Sequence, residues 1–282
     1  MNILTFDIED WFHILDNEST KSESQWMHLE SRIEKSTEKI LNLLEENNQH
    51  ATFFCLGWVA RKYPHLLKEI YNKGHEIASH SDMHQLLYEF NPKEFKEDLK
   101  RSIESIEDVT GGKVKVYRAP GFSLMQQNQW IFEELIEQGI EIDCSVFPVK
   151  RAHGGFEKFG TAEPAIIEVS GKKIKEFPIN TYSVFGKQIV FSGGGYFRLF
   201  PYFMIDYFMR RSPYVMTYLH PRDFDPNQPM IEGLNMIRKF KSYVGIKGAL
   251  TKLQEVLNNY DFVDLQTANS LVDWNQSKVI KL

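Results

Sequence analysis

The feature that most limits the fold is an alternation of short apolar runs with longer amphipathic ones. NILTF, ATFFCLG, HEIASH, KVYRAP and IEIDCSVF read as buried strands. Between them lie SRIEKSTEKILNLLEENN, RKYPHLLKEIYNKG, NPKEFKEDLKRSIESIEDVTGG and the stretch around QWIFEELIEQG, which read as helices. In the first, Ile33, Ile40, Leu41 and Leu44 share one face. In the third, Asn91 stands as N-cap, Pro92 takes the first helical position and Gly111-Gly112 closes the helix. Such repetition requires parallel strands joined by crossover helices, hence an open α/β sheet or a barrel.

The rhythm fails between residues 146 and 213. There VFPVKRAHGGFEKFG precedes two strand candidates, AIIEVS and IKEFPIN, and then VFSGGGYFRLFPYF. We expect an insertion on a single domain of residues 1–282, because neither flank could close a core without the other. Beyond it, YVMTYLH reads as a strand, EGLNMIRKFKSYVGIKGALTKLQEVLNN as one long helix and FVDL as a closing strand.

A hydrophobic content of 42% with 13% aromatics is enough for a large core, and a net charge of -5 creates no field that would draw nucleic acid. Cys55 and Cys144 both sit in apolar strand-like runs, so buried free thiols in a reducing compartment are expected. MNILTFDIEDWF lacks the basic and apolar regions of a signal peptide, which leads us to expect a cytoplasmic protein. The richest apolar stretch, YFMIDYFMRR, is interrupted by Asp206, Arg210 and Arg211 and is too short to span a membrane.

Ionisable residues recur where the strands end, which is where barrels and open sheets place their sites. FDIED brings Asp7, Glu9 and Asp10. HSDMH brings His80 and His84, four apart, which on one face of a helical turn could bind one metal ion. KVYRAPGF brings Arg118, IEIDCS brings Asp143, and TYLHPRDFD brings His220. Taken singly, each has a bland explanation as a cap, a salt-bridge partner or a turn residue. Chance has no reason to set all of them at successive strand ends. His75 lies five residues before His80 on the strand and reads as a core histidine, while Trp11, Phe122 and Tyr196 are aromatic candidates to line a substrate pocket and His13 follows the carboxylates closely.

TFDIED, HSDMH, RAPGF, IDCSVFP and YLHP, in this order, resemble the motifs of the polysaccharide deacetylase family, carbohydrate esterase family 4, over roughly residues 1 to 225. DIEDWFH, DCSVFP, GGGYFRLFP and HPRDFDP further resemble a subgroup found in bacterial exopolysaccharide and O-antigen biosynthesis. The resemblance implies a distorted (β/α)7 barrel and a metal-dependent hydrolase that removes an N-acetyl group from an amino sugar. It implies Asp7 as general base, His220 as general acid, and Arg118 and Asp143 as the groups positioning them. His80 and His84 would share a divalent metal with one carboxylate. Where the family has two adjacent aspartates, Ile8 here separates Asp7 from Glu9, which leaves both Glu9 and Asp10 open as the ligand. Zinc is the default for such a donor set, with cobalt, nickel or iron as alternatives.

The same motifs also serve allantoinase-like amide hydrolases, de-O-acetylation uses the same site, and a non-catalytic glycan-binding relative is a third alternative. GGGYFRLFPYFMIDYFMRR joins a glycine run to an aromatic helix. It reads either as core or as a surface that meets a lipid-linked sugar at the inner membrane face, with Arg198, Arg210 and Arg211 near phosphate. A peripheral membrane contact and a lipid-linked or other N-acetylated glycan precursor as substrate are the expected partners.

Overall fold

A computed structural model describes residues 1–151 and 153–282. Strands β1 (Asn2–Ile3) and β2 (Thr5–Ile8) form the first apolar run. β3 (Thr52–Cys55), β4 (Glu76–Ser79), β5 (Val116–Tyr117) and β6 (Ile142–Asp143) follow in turn, each parallel to its predecessor in the order β2-β3-β4-β5-β6. β2 and β3 are buried along their whole length, as strands covered on both faces must be.

The irregular stretch contributes to this sheet. β7 (Ala165–Val169) and β8 (Lys172–Glu176) form a hairpin, and β8 pairs in parallel with β6, so 146–213 is not wholly an insertion. β9 (Tyr182–Val184) and β10 (Lys187–Ile189) make a separate antiparallel pair. β11 (Val215–Met216) runs parallel to β1, and the Phe6–Leu219 bridge continues that pairing beside β2. β12 (Lys278–Lys281) lies outside β7. The strand around β11, the β1–β2 run, β3, β4, β5, β6 and β8 are the staves of a distorted seven-stranded α/β barrel.

The barrel's seam lies between β8 and β11, and side chains close it. Asn180 Oδ1 accepts from Met216 N at 2.9 Å and from Ser192 Oγ at 3.1 Å, while Tyr214 Oη donates to Pro178 O at 2.7 Å. The glycine run is part of this closure: Gly193 bridges Tyr218, and a Cβ there would overlap the Tyr218 ring. It is a close-packing device.

Helices Ile33–Glu46, Pro64–Asn72, Pro92–Thr110 and Ile131–Glu137 cover the outside. Asn91 caps Pro92–Thr110 through a reciprocal pair with Glu94, and Gly111 ends it at φ 71°. The expected long C-terminal helix is two, Met236–Tyr243 and Ile246–Asn259, broken where Gly245 adopts φ 71°. FVDL contributes only a bridge between Val263 and Ile3 before helix Leu265–Leu271 begins. Both cysteines are buried and free, and His75 is buried against Phe53 and His50.

Candidate active site

Successive residues of an extended chain face opposite ways. Asp7 and Glu9 therefore share one side of the first stave, and both point into the barrel mouth. Asp10 points out. Its carboxylate accepts from Trp11 N at 2.8 Å, Ser31 Oγ at 2.6 Å and Arg32 N at 3.0 Å, at the start of helix Ile33–Glu46. It is a cap for orphan helix N–H groups, which removes it as a metal ligand.

Glu9, His80 and His84 each offer a ligand atom within 4.8 Å of the others. The two histidines do not converge through a helical turn. They lie in a loop after β4 in which Ser81 and His84 have φ 70° and 57°, conformations costly for residues with a Cβ and typical of constrained sites. The loop is pinned from below: Gly57 N and Trp58 N donate to Ser81 O and Asp82 O at 3.0 and 3.1 Å, and His84 N bonds Ser81 Oγ at 3.0 Å.

The donor set suits a divalent cation. His80 Nδ1 lies 2.9 Å from the Arg118 carbonyl, which turns Nε2 toward the cluster. Burial pushes the His80 pKa down to about 4, so the ring is neutral, as a ligand must be. Burial also pushes Glu9 up, but His84, His220 and His80 outweigh it and hold the carboxyl well below its usual range. Glu9 Oε2 sits 2.7 Å from His84 Nε2. A buried, ionised carboxylate converging with two imidazole nitrogens is a donor set that suits a cation.

Two further side chains face this cluster. Asp7 is held by Arg118, whose Nη1 donates to Asp7 Oδ1 and to Thr5 Oγ1, each at 2.7 Å. Arg118 is fully buried, with its guanidinium 3.9 Å from the Phe54 ring centroid. His220 Nε2 lies 3.3 Å from Glu9 Oε1 and 3.7 Å from Asp7 Oδ2. On its other side His220 Nδ1 is 2.9 Å from Asp223 Oδ2, and Asp223 Oδ1 pairs with Arg198 Nε at 2.9 Å. Burial by itself would lower the His220 pKa; Asp223, then Glu9 and Asp7, raise it to about 9.

Asp143 belongs elsewhere. Its carboxylate accepts from Ser145 Oγ at 2.6 Å and Ser145 N at 3.1 Å and is paired with Glu176 of β8, with no bond to Arg118 or His220 among the described residues. The carboxylate that lies against His220 is that of Asp223, not of Asp143. The signal was in HPRDFD: a carboxylate three residues after His220, with Pro221 at the first helical position, is a capping-box spacing, and Asp223 Oδ2 does accept from His220 N at 2.9 Å.

The cluster opens into a cleft of about 500 Å³ lined by Phe122, Tyr218, Arg151, Arg222, Arg238 and Lys241, among others. Of the aromatic candidates only Phe122 lines it, with the guanidinium groups of Arg118 and Arg151 each 5.3 Å from its ring centroid. Trp11 is buried, its indole donating to Glu30 O at 2.9 Å. Tyr196 lies outside the cleft and stacks on Phe200. His13 reaches the cleft wall, but its Nδ1 is taken by Asp10 N at 2.9 Å and its ring is boxed by Trp26 and Trp58. Arg198 pairs with Asp223 and Arg210 with Asp206, each at 2.9 Å, and Arg211 stacks on Tyr207.

A carboxylate-and-two-histidine cluster at the C-terminal ends of barrel strands defines a hydrolase-type α/β barrel with a candidate metal centre. Residues 3–140, just under half of the chain, match the family model described as "Polysaccharide deacetylase", and residues 144–269 match a "Domain of unknown function (DUF3473)". The second match begins directly after β6. Over 99 residues the chain is 36% identical to a peptidoglycan-N-acetylglucosamine deacetylase of Bacillus cereus, covering 35% of this chain and 36% of that protein. The match thus spans about a third of the relative's length. Among solved structures, a candidate polysaccharide deacetylase from Mycobacterium smegmatis superposes with TM-score 0.68 at 18% identity, covering 100% of this chain and 92% of the other. Puue allantoinase does so at 0.56 and 15%, covering 97% of this chain and 85% of its own. These two likenesses concern the fold.

Proposed function

We propose that the protein is a metal-dependent N-deacetylase acting on an N-acetylated amino sugar within a glycan or glycan precursor. The observation that carries this is the arrangement of Asp7 and His220, each anchored from behind, by Arg118 and Asp223 respectively, and each facing the Glu9, His80 and His84 cluster. An amide needs an activated water, a stabilised oxyanion and a protonated leaving group. A divalent ion held by Glu9, His80 and His84, with zinc the default, would polarise the acyl carbonyl and lower the pKa of water.

The chain's own residues supply the rest. Arg118 ties up Asp7 Oδ1 and leaves Oδ2 to take the proton of the attacking water. His220, raised to about 9, is protonated near neutrality and gives its proton to the amide nitrogen as the carbon–nitrogen bond breaks. Acetate and the free amine leave. Asp223 fixes the ring so that Nε2 faces the cleft. Phe122 and Tyr218 line the cleft that would receive the sugar ring.

The relative from Bacillus cereus carries a peptidoglycan-N-acetylglucosamine deacetylase name, which supports the N-acetylhexosamine class. The barrel shared with Puue allantoinase makes ureide hydrolysis the competing activity on this fold. Acetate release from N-acetylglucosamine oligomers, measured beside allantoin consumption and beside acetate release from an O-acetylated sugar, tests the three chemistries together. Acetate from the N-acetyl substrate alone is the expected result. Loss of allantoin without acetate would overturn it.

A further inference from the structure

Helix Met236–Tyr243 has no buried residue. Met236, Ile237 and Phe240 are 79%, 68% and 59% exposed, an unusual amount of large apolar side chain for one short helix. From Gly233 to Gln254 the chain has five Lys or Arg and no Asp or Glu, although the whole protein carries a net charge of -5. Two of the five are turned inward: Arg238 donates to the Leu15 and Asp16 carbonyls, and Lys252 to those of Phe197, Arg198 and Phe200. Lys241 and Lys247 are exposed and Lys239 is half-buried.

This helix also forms the rim of the cleft. Arg238, Lys241 and Ser242 line it together with Glu9 and His220. Arg198 ties the neighbouring helix Gly194–Leu199 to it by donating to Lys241 O and Ser242 O, at 3.0 and 2.7 Å, and that helix adds Tyr196 and Leu199, each about half exposed.

We propose that helix Met236–Tyr243 docks on an anionic lipid bilayer. Met236, Ile237 and Phe240 enter the headgroup boundary, while Lys239, Lys241 and Lys247 meet the anionic headgroups, so the cleft opens beside the membrane surface. Charge complementarity selects this occupant. In a symmetric contact with a second copy the same cationic tract would face itself. Among the described residues no helix is long and apolar enough to cross a membrane, so the contact lies on the surface. The proposal deepens the deacetylase reading by stating where a lipid-carried sugar would be presented, but docking itself requires neither metal nor hydrolysis.

The test is sedimentation of the full chain with vesicles of phosphatidylcholine alone and of phosphatidylcholine mixed with phosphatidylglycerol, at low and at raised ionic strength. Binding more than about tenfold stronger to the anionic vesicles, weakening with salt, is expected. The double variant Ile237→Asp, Phe240→Asp should lose it while unfolding at the wild-type temperature and keeping activity on a soluble N-acetylhexosamine oligomer. Should that variant fail to fold, Lys239→Glu with Lys247→Glu must abolish the anionic preference. No binding to either vesicle, binding unchanged in these variants, or a dimer that the apolar variant dissociates would each overturn the proposal. Loss of hydrolysis with docking intact would count against the deacetylase reading alone.

Discussion

His220 and Asp223 are joined twice: Asp223 Oδ2 accepts from the His220 backbone N–H and lies 2.9 Å from Nδ1 of the same residue. One carboxylate oxygen therefore fixes both the backbone and the ring of the proposed acid. Arg198 pairs with the other oxygen. Replacing Asp223 by Asn should lower kcat roughly 10²-fold, at the low end of what general acid–base catalysis contributes, with KM little changed. A purely structural role would instead show as a lower unfolding temperature with kcat preserved in the folded fraction.

Arg118 is the largest fully buried side chain and holds the proposed base. Arg118→Ala would leave Asp7 buried without its partner and should destabilise the protein by about 3–5 kcal/mol. Arg118→Lys keeps the charge but lacks the planar guanidinium that stacks on Phe54 and sets the direction of the Nη1 bonds to Asp7 and Thr5. It should fold and bind metal, since His80 is held by the residue's backbone carbonyl, yet lose most of kcat. Denaturant unfolding, metal content and steady-state kinetics on the two variants check this.

A buried pair away from the cleft makes stability depend on pH. Burial raises the pKa of both Asp143 and Glu176, and Glu176 furthest, because the Asp143 charge lies beside it. A raised folded-state pKa means that the folded protein binds more protons than the unfolded chain above the ordinary carboxylate value. The stabilising contribution is therefore full below about pH 4.3 and is lost as pH rises toward the folded value, at up to about 1.4 kcal/mol per unit. Glu176→Gln should flatten that slope between pH 5 and 8, as read by urea midpoints.

Gly57 supports the histidine loop from beneath. A Cβ there would overlap Asp82 Oδ1 and come within 2.8 Å of Ser102 Cα, and the Gly57 N–H itself bonds Ser81 O. Gly57→Ala should cost about 1–3 kcal/mol from overpacking and weaken metal affinity about 10-fold or more by shifting His84. Competition for metal against a chelator measures the second effect independently of folding.

The alternation of strands and helices was legible because periodicity is local. Asp10 stayed open beside Glu9 because only the helix beginning at Ile33 shows which side it serves, and Trp11 fell to the pocket because the chain turns at residues 11–12 and leaves the extended alternation. Asp143 ends its strand as expected. Its partner, however, comes from β8, in the stretch where the alternation breaks, so no nearby residue announced Glu176. Asp223 was within reach of sequence reasoning, three residues from His220, had the capping spacing been applied to an imidazole. The left-handed residues of the HSDMH loop were not, since Ser81 and His84 adopt them through contacts with Gly57, Trp58 and Ser102.

The central claim is a single metal held by Glu9, His80 and His84 that serves amide hydrolysis. Metal content and acetate release should be measured together on the wild type and on Glu9→Gln, His80→Ala, His84→Ala and Asp10→Asn. About one divalent ion per chain, lost together with acetate release in the first three variants and retained in Asp10→Asn, is the predicted result. Full metal and activity in Glu9→Gln, or no metal in the wild type after zinc is supplied, would contradict it.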